Sequence, residues 1–370
     1  MDKLDLVKPI RLSTRIIKFL GLWRLNNEYN SLYRIYSYLL HFCTIFSTTT
    51  FMLIKVGTAK TLEEFTEPLF LTFTMVGASI KVINILHLND VAVELMVLKN
   101  ALRMFYIVAL VYTGASFAVL LFGSIIIAFG QKWVLPYPMW LPFEYQYESK
   151  YYWLAYGYQF VGLLVGCLSN VSLDLLQCFY LRSVSLIYFV IGSRLGDIVN
   201  DYADVSDSSE MNYIFLEKLK EILRLHNFAK KLTENCQRIL SLPIFVQVLF
   251  SAFVLCFTGY RLSSMSITET PGRFIEMIDF LFVMGLQIYL PCYYGNQITL
   301  EAGKLSDALF SSNWTVLPVK SKKIIYLYME FLKEPIYVKA GKFFQIGIPT
   351  FAKTVNNAYS FFAVLIRVQK

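Results

Sequence analysis

Histidine is nearly missing from this chain: there are three, His41, His87 and His226, each in a different segment. A zinc or iron site needs several His, Cys or carboxylate ligands brought together, and no HExxH, CxxC or carboxylate cluster supplies them. No P-loop, no GxGxxG after a strand and no GxSxG occurs, so neither nucleotide binding nor serine hydrolysis has a motif to stand on. The sequence therefore reads as a non-enzyme with no cofactor and no metal. Cysteine is sparse too. Cys43, Cys167, Cys178, Cys256 and Cys292 fall in apolar spans and Cys236 in a segment assigned to the cytoplasm. None falls in an outer loop, so no structural disulfide is expected.

Charge is the third scarcity, at 16% of residues against 56% hydrophobic, with a mean hydropathy of +0.51. Soluble domains do not hold that balance, whereas repeated apolar runs of about 20 residues do, as helices that cross a membrane. The net charge of +8 lies between those runs, so it reflects topology rather than a nucleic-acid surface. The opening "MDKLDLVKPIRLSTRIIKF" has no apolar core ending in a small-residue cleavage site. No cleaved signal is expected, and the basic start predicts a cytoplasmic N-terminus.

Seven spans are predicted, over roughly 32–54, 68–88, 104–129, 153–180, 242–262, 274–295 and 343–366, with the fourth continuing as a long helix. With the N-terminus inside, 24 of the 34 Lys and Arg lie in cytoplasmic segments and 8 in outer ones. Basic residues favour the cytoplasmic side, so the C-terminus is placed outside. That is opposite to G-protein-coupled receptors. Nor is there an Asp-Arg-Tyr after the third span or an Asn-Pro-x-x-Tyr in the seventh. The fold class is all-α, a polytopic seven-transmembrane-helix protein.

The outer loops are too short for an ectodomain. A ligand from outside would need a pocket among the outer helix halves, suited to a small, mostly apolar molecule. The longest outer loop, 130–152, is rich in Pro, Trp and Tyr and reads equally as a lid or as an interfacial aromatic belt. On the inside, 194–212 reads as a polar acidic loop, and 214–240 and 319–335 as amphipathic helices. Their apolar faces need partners: each other, other subunits or the membrane surface, with subunit association preferred. Asp174 and Asp279 lie near or within spans. With no second carboxylate paired to either, they read as helix–helix hydrogen-bonding groups rather than a proton relay.

The last span carries a polar stripe. At 100° per residue, Lys353, Asn356, Asn357, Ser360, Val364, Arg367 and Val368 fit one arc of about 120°, while Val355, Phe362, Leu365 and Ile366 lie opposite. Such a face needs a partner helix or water. Both readings stand on the residues alone. In the second, several subunits surround a pore, and Val364 and Val368 form an apolar constriction that gates by dewetting.

Two blocks carry a family resemblance. One is "CYYGNQITLEAGKLSDALFSSNW" (292–314), with Gly295-Asn296, Glu301, Leu305, Ala308 and Trp314. The other is "AGKFFQIGIPTFAKTVNNAYSFFAVLIRV" (340–368), with Ala340-Gly341, Phe343, Thr350-Phe351 and Tyr359-Ser360. They resemble the insect odorant receptor family over about 75 residues of the 370. The related gustatory receptors carry a Thr-Tyr…Gln-Phe signature that is not found here. The short second inside loop resembles an odour-tuned subunit rather than the shared co-receptor. The resemblance implies a tetrameric odorant-gated cation channel, formed with a co-receptor subunit in the plasma membrane of a sensory neuron dendrite. It implies a pore lined by Lys353, Asn356, Asn357, Ser360 and Arg367 and gated at Val364 and Val368, with Lys353 and Arg367 snorkelling at the two interfaces. The chain then divides into a cytoplasmic segment 1–31, helices one to six over 32–295, an anchor over 296–342 and the pore helix over 343–370. An odorant pocket among the second, third, fourth and sixth spans would draw on Phe70, Phe73, Thr74, Gly77, Phe122, Ile126, Tyr158, Gly162, Phe280 and Met284. Partners are thus a co-receptor subunit, a small volatile odorant and the bilayer. The alternatives are a membrane transporter, against which no internal repeat is found, and a seven-helix receptor acting through a cytoplasmic protein.

Overall fold

The computed structural model of the protein describes residues 16, 18–22, 31–87, 107–119, 121, 135–144, 149–199, 208–266, 271–341 and 343–369. The first span is helical in two parts, α1 (Ser31–His41) and α2 (Ser47–Gly57), joined by a π-helical turn at Phe42–Phe46. Hydroxyl residues crowd the junction, and each returns its proton to the helix. Thr48 Oγ1 donates to the carbonyl of Thr44 at 2.6 Å and Thr49 Oγ1 to that of Ile45 at 2.6 Å. Lipid offers no other partner, so this back-bonding lets polar side chains sit in a span.

α3 (Leu62–His87) and α4 (Ile107–Val119) follow, then three long helices, α5 (Ser149–Gly196), α6 (Ser208–Ser264) and α7 (Pro271–Ser311). At about 1.5 Å per residue, 48, 57 and 41 residues span about 72, 85 and 61 Å. The hydrocarbon core is about 30 Å thick, so each extends well beyond it. The predicted cytoplasmic helix over 214–240 and the fifth span are therefore one element. Pro243 lies inside α6 where that span was predicted to begin, and Pro291 inside α7 where the sixth was predicted to end. Each removes one backbone donor and marks a bend point between the two zones.

Outside the predicted spans, α5, α6 and α7 form a second bundle with α8 (Val319–Leu332). Its core is closed by two buried polar contacts. Tyr188 Oη meets Thr233 Oγ1 at 3.1 Å, and His226 Nδ1 meets Tyr328 Oη at 2.9 Å. From α8 the chain makes a small antiparallel hairpin, β1 (Lys339–Ala340) and β2 (Phe344–Gln345), before α9 (Ile348–Gln369). The seventh helix thus begins later than predicted, because 343–347 belong to this hairpin and its exit. Gly341 turns it with φ +58, a conformation that side chains with a Cβ resist, and Phe245 would stand 2.7 Å from any such Cβ. Gly295 is bare for a second reason: Ile346 packs where its Cβ would be, at 2.6 Å. The hairpin therefore plugs onto α6 and α7 at the level of their prolines and aims α9 back along them.

Candidate functional site

A cavity of about 70 Å³ lies between α3, α4, α5 and α7. A single water needs about 10–15 Å³ on this measure, so the space is several waters large. Leu71, Met75 and Ala78 of α3, Leu163 and Val171 of α5, and Phe280, Val283 and Met284 of α7 make it mainly apolar. The polar groups on the wall are mostly already engaged. Thr74 Oγ1 donates to the Phe70 carbonyl at 3.0 Å and Ser116 Oγ to the Tyr112 carbonyl at 2.8 Å. Such a pocket holds a small apolar molecule by shape and aromatic contact.

Below the cavity is a buried charge network. Asp174 pairs with Lys81, and the two are 3% and 4% exposed. The same carboxylate accepts from Tyr112 Oη at 2.9 Å, Gln177 Nε2 at 2.9 Å and Gln287 Nε2 at 3.0 Å. Lys81 Nζ also donates to Asn170 Oδ1 at 2.9 Å. A charge in lipid is tolerated only when paired and fully hydrogen-bonded; here four helices share that task. The sequence reading named Asp174 as a helix–helix hydrogen-bonding group but gave Lys81, Tyr112 and Gln287 no part in it. The segment 135–144 closes the cavity on the other side. Tyr137 lines the cavity and donates to Glu276 Oε1 at 2.6 Å. Gln159 clasps the Tyr137 backbone through both amide atoms, at 3.3 and 2.7 Å. Glu276, which the sequence reading passed over, is 1% exposed.

Of the residues proposed for the pocket, Thr74, Phe280 and Met284 lie on the cavity wall. Phe70 is one layer behind, its ring edge-on to Phe280 at 5.0 Å and to Tyr137 at 6.5 Å. Phe73 and Gly77 border a smaller adjacent cavity next to Phe250 of α6. Tyr158 and Gly162 face the first span instead: Tyr158 Oη donates to Ser47 Oγ at 2.5 Å, and Thr48 packs on Gly162. Helical spacing placed them in α5 but did not tell which side of α5 meets the pocket. Phe122 and Ile126 lie outside the described residues.

α9 packs on α6 and α7 through Thr354 and Ala358, 5% and 4% exposed, with Phe351 edge-on to Tyr289 at 5.4 Å and Phe362 beside Gly259. Its polar stripe is not covered by the rest of the protomer. Lys353, Asn356, Asn357, Ser360, Val364 and Arg367 are all exposed, Val364 by 58%. The side chain of Val368 lies outside the described residues. Val355, expected on the packed face, is 37% exposed at its edge. Among the described residues five other helices are long and apolar enough to cross a membrane; α9 is long enough at 22 residues but less apolar.

A family model described as 7tm Odorant receptor matches residues 84–359. The chain is 36% identical to Odorant receptor 94a of Drosophila melanogaster over the full length of both. It is 27% identical to Odorant receptor 46a, isoform A, of the same fly, over 70% of this chain and 66% of the relative. Among solved structures, the insect olfactory receptor OR5 from Machilis hrabei in complex with eugenol superposes with a TM-score of 0.83 at 17% identity, over 100% of both chains.

Proposed function

We propose, from the premise that this chain belongs to the odorant receptor family, that it is the odour-tuned subunit of an odorant-gated, non-selective cation channel. It shares one central pore with a co-receptor subunit, with its N-terminus in the cytoplasm and its C-terminus outside. The odorant occupies the cavity under Tyr137, lined by Thr74, Phe280 and Met284. The observation that carries the reading is the uncovered polar face of α9, on which Lys353, Asn356, Asn357, Ser360 and Arg367 are all exposed. A polar face has no place against lipid, and several copies of α9 around an axis give it water.

α7 joins the two sites. Phe280, Val283 and Met284 touch the cavity, and two turns further on Tyr289 supports Phe351 of α9. A ligand that fits better when α7 is displaced shifts the population toward that state by its difference in affinity. The α9 helices then part at Val364 and Val368, and the apolar constriction wets. Asn356, Asn357 and Ser360 line the path, with Lys353 and Arg367 at its two ends. The anchor over 296–342 holds the subunits together. The OR5 relative was solved with eugenol, and a ligand of similar smallness and low polarity suits this cavity. Co-expression with the co-receptor and recording against a diverse odour panel tests the reading. Odour-evoked cation currents are expected; silence from a complex assembled at the cell surface overturns it.

A further inference from the structure

We infer that Asn170 selects ligands that carry an acceptor oxygen, carbonyl compounds above all; this rests on the odorant reading above. Asn170 borders the cavity and is 6% exposed. Its amide orientation is fixed chemically. The Lys81 ammonium can only donate, so the atom 2.9 Å from it must be the Asn170 oxygen. Oxygen and nitrogen point apart from the amide carbon. Asn170 borders both the main and the smaller cavity, whereas Lys81 borders the smaller and not the main one; the NH2 group, directed away from Lys81, is therefore on the side of the main space. Among the described residues it has no hydrogen-bond partner, yet it is not sealed off as the enclosed unpaired polar atoms are.

The remaining polar side chains of the wall have used their protons. Tyr112 donates to Asp174, Tyr137 to Glu276, Ser116 and Thr74 to helix carbonyls, and Cys167 to the Ser116 carbonyl at 3.7 Å. They offer a ligand only lone pairs. The Asn170 amide is thus the one unengaged donor among the described residues of the wall, held in an otherwise apolar space. A ligand oxygen satisfies it, whereas a pure hydrocarbon excludes water and leaves it unpaired, which carries the cost of a lost hydrogen bond.

The test uses the full chain with its co-receptor and a pair of ligands of one shape: a methyl ketone and the alkene in which =CH2 replaces =O. The readout is the ratio of their half-maximal concentrations, compared between wild type and Asn170→Leu so that differences in partitioning cancel. A single hydrogen bond predicts a ratio about 3- to 10-fold more favourable to the ketone in the wild type. Asn170→Asp is the second variant: it keeps an oxygen for Lys81 and loses the NH2 donor, and it is expected to lose the same preference. A ratio that either conducting variant leaves unchanged overturns the inference while the channel reading stands. Silence of an assembled wild type toward every compound strikes the channel reading itself and takes the inference with it.

Discussion

At the scale of single residues, the Lys81–Asp174 pair sets the terms for the membrane core. Removing one member leaves a buried charge without its partner, which costs about 3–5 kcal/mol, whereas replacing both with apolar side chains removes the charge altogether. Asp174→Leu and Lys81→Met alone are each expected to lower the melting temperature of the detergent-solubilised protein sharply. The double variant is expected to recover most of that loss, and simple addition of the two single effects would contradict the pairing. None of this was legible in one dimension. Asp174 meets Lys81 across 93 positions, Tyr112 across 62 and Gln287 across 113, and no local spacing encodes such meetings. His226 presents a second case, in the bundle outside the spans. It is buried against Tyr188, Tyr328 and Phe331, and its Nε2 has no partner among the described residues. Burial, with the Lys230 charge second, holds its pKa below the usual 6.5. The unfolded chain therefore binds the proton more tightly. The stability from a neutral His226 is complete above about pH 6.5 and falls as pH drops from there toward the lowered folded value. Thermal unfolding across that range is expected to show the loss in wild type and a smaller one in His226→Gln.

At the scale of elements, α9 was largely legible because its evidence is local. A polar arc on a 3.6-residue period can be read from sixteen letters; its described residues are exposed, as are Val355, Tyr359 and Phe361 outside it. The pocket faces were less legible: Thr74, Phe280 and Met284 lie on the wall, but Tyr158 and Gly162 look toward the first span. α5 touches neighbours on several sides, so apolar residues surround it and periodicity loses its phase. The hairpin before α9 was missed altogether, since its two-residue strands are too short for any alternation to register. Its one signal was Gly341. If α9 lines a shared pore as proposed, cysteines at positions 356 and 360 are expected to react with a charged, water-soluble thiol reagent, while Ala358→Cys, on the packed face, is protected. Native Cys43, also exposed, is replaced first so that only the introduced thiols report. If position 358 reacts as fast as 356, the assignment of faces is wrong. If Val364 stands in an apolar pore ring as proposed, Val364→Asp places a charge there and is expected to raise the ligand-free current several-fold by wetting it.

At the scale of the whole molecule, two zones answer to different solvents. Within the bilayer, apolar surfaces gain little by leaving lipid for each other, so helix association there depends on packing and hydrogen bonds. The extensions beyond the bilayer meet water, where burial of apolar area drives association directly. Large apolar side chains stand uncovered in that zone as well as in the spans, but here they face water: Phe310, Val319, Tyr326 and Leu327 are exposed by 69%, 69%, 62% and 74%. A patch of that kind marks a surface built for a partner. The assembly is therefore expected to be held chiefly by this water-facing bundle and not by α9. Burying a side chain such as Leu327 contributes about 1.5–3 kcal/mol, about 10- to 150-fold in association per interface. Tyr326→Asp with Leu327→Asp is expected to shift the solubilised protein from oligomer to monomer by light scattering. The monomer's own stability should fall by only about 1–2 kcal/mol, since Tyr326 packs edge-on to Trp314 at 5.2 Å and Asp is a poorer helix former than Tyr or Leu. An oligomer that survives both charges would move the main subunit contact into the membrane and leave the patch without a partner.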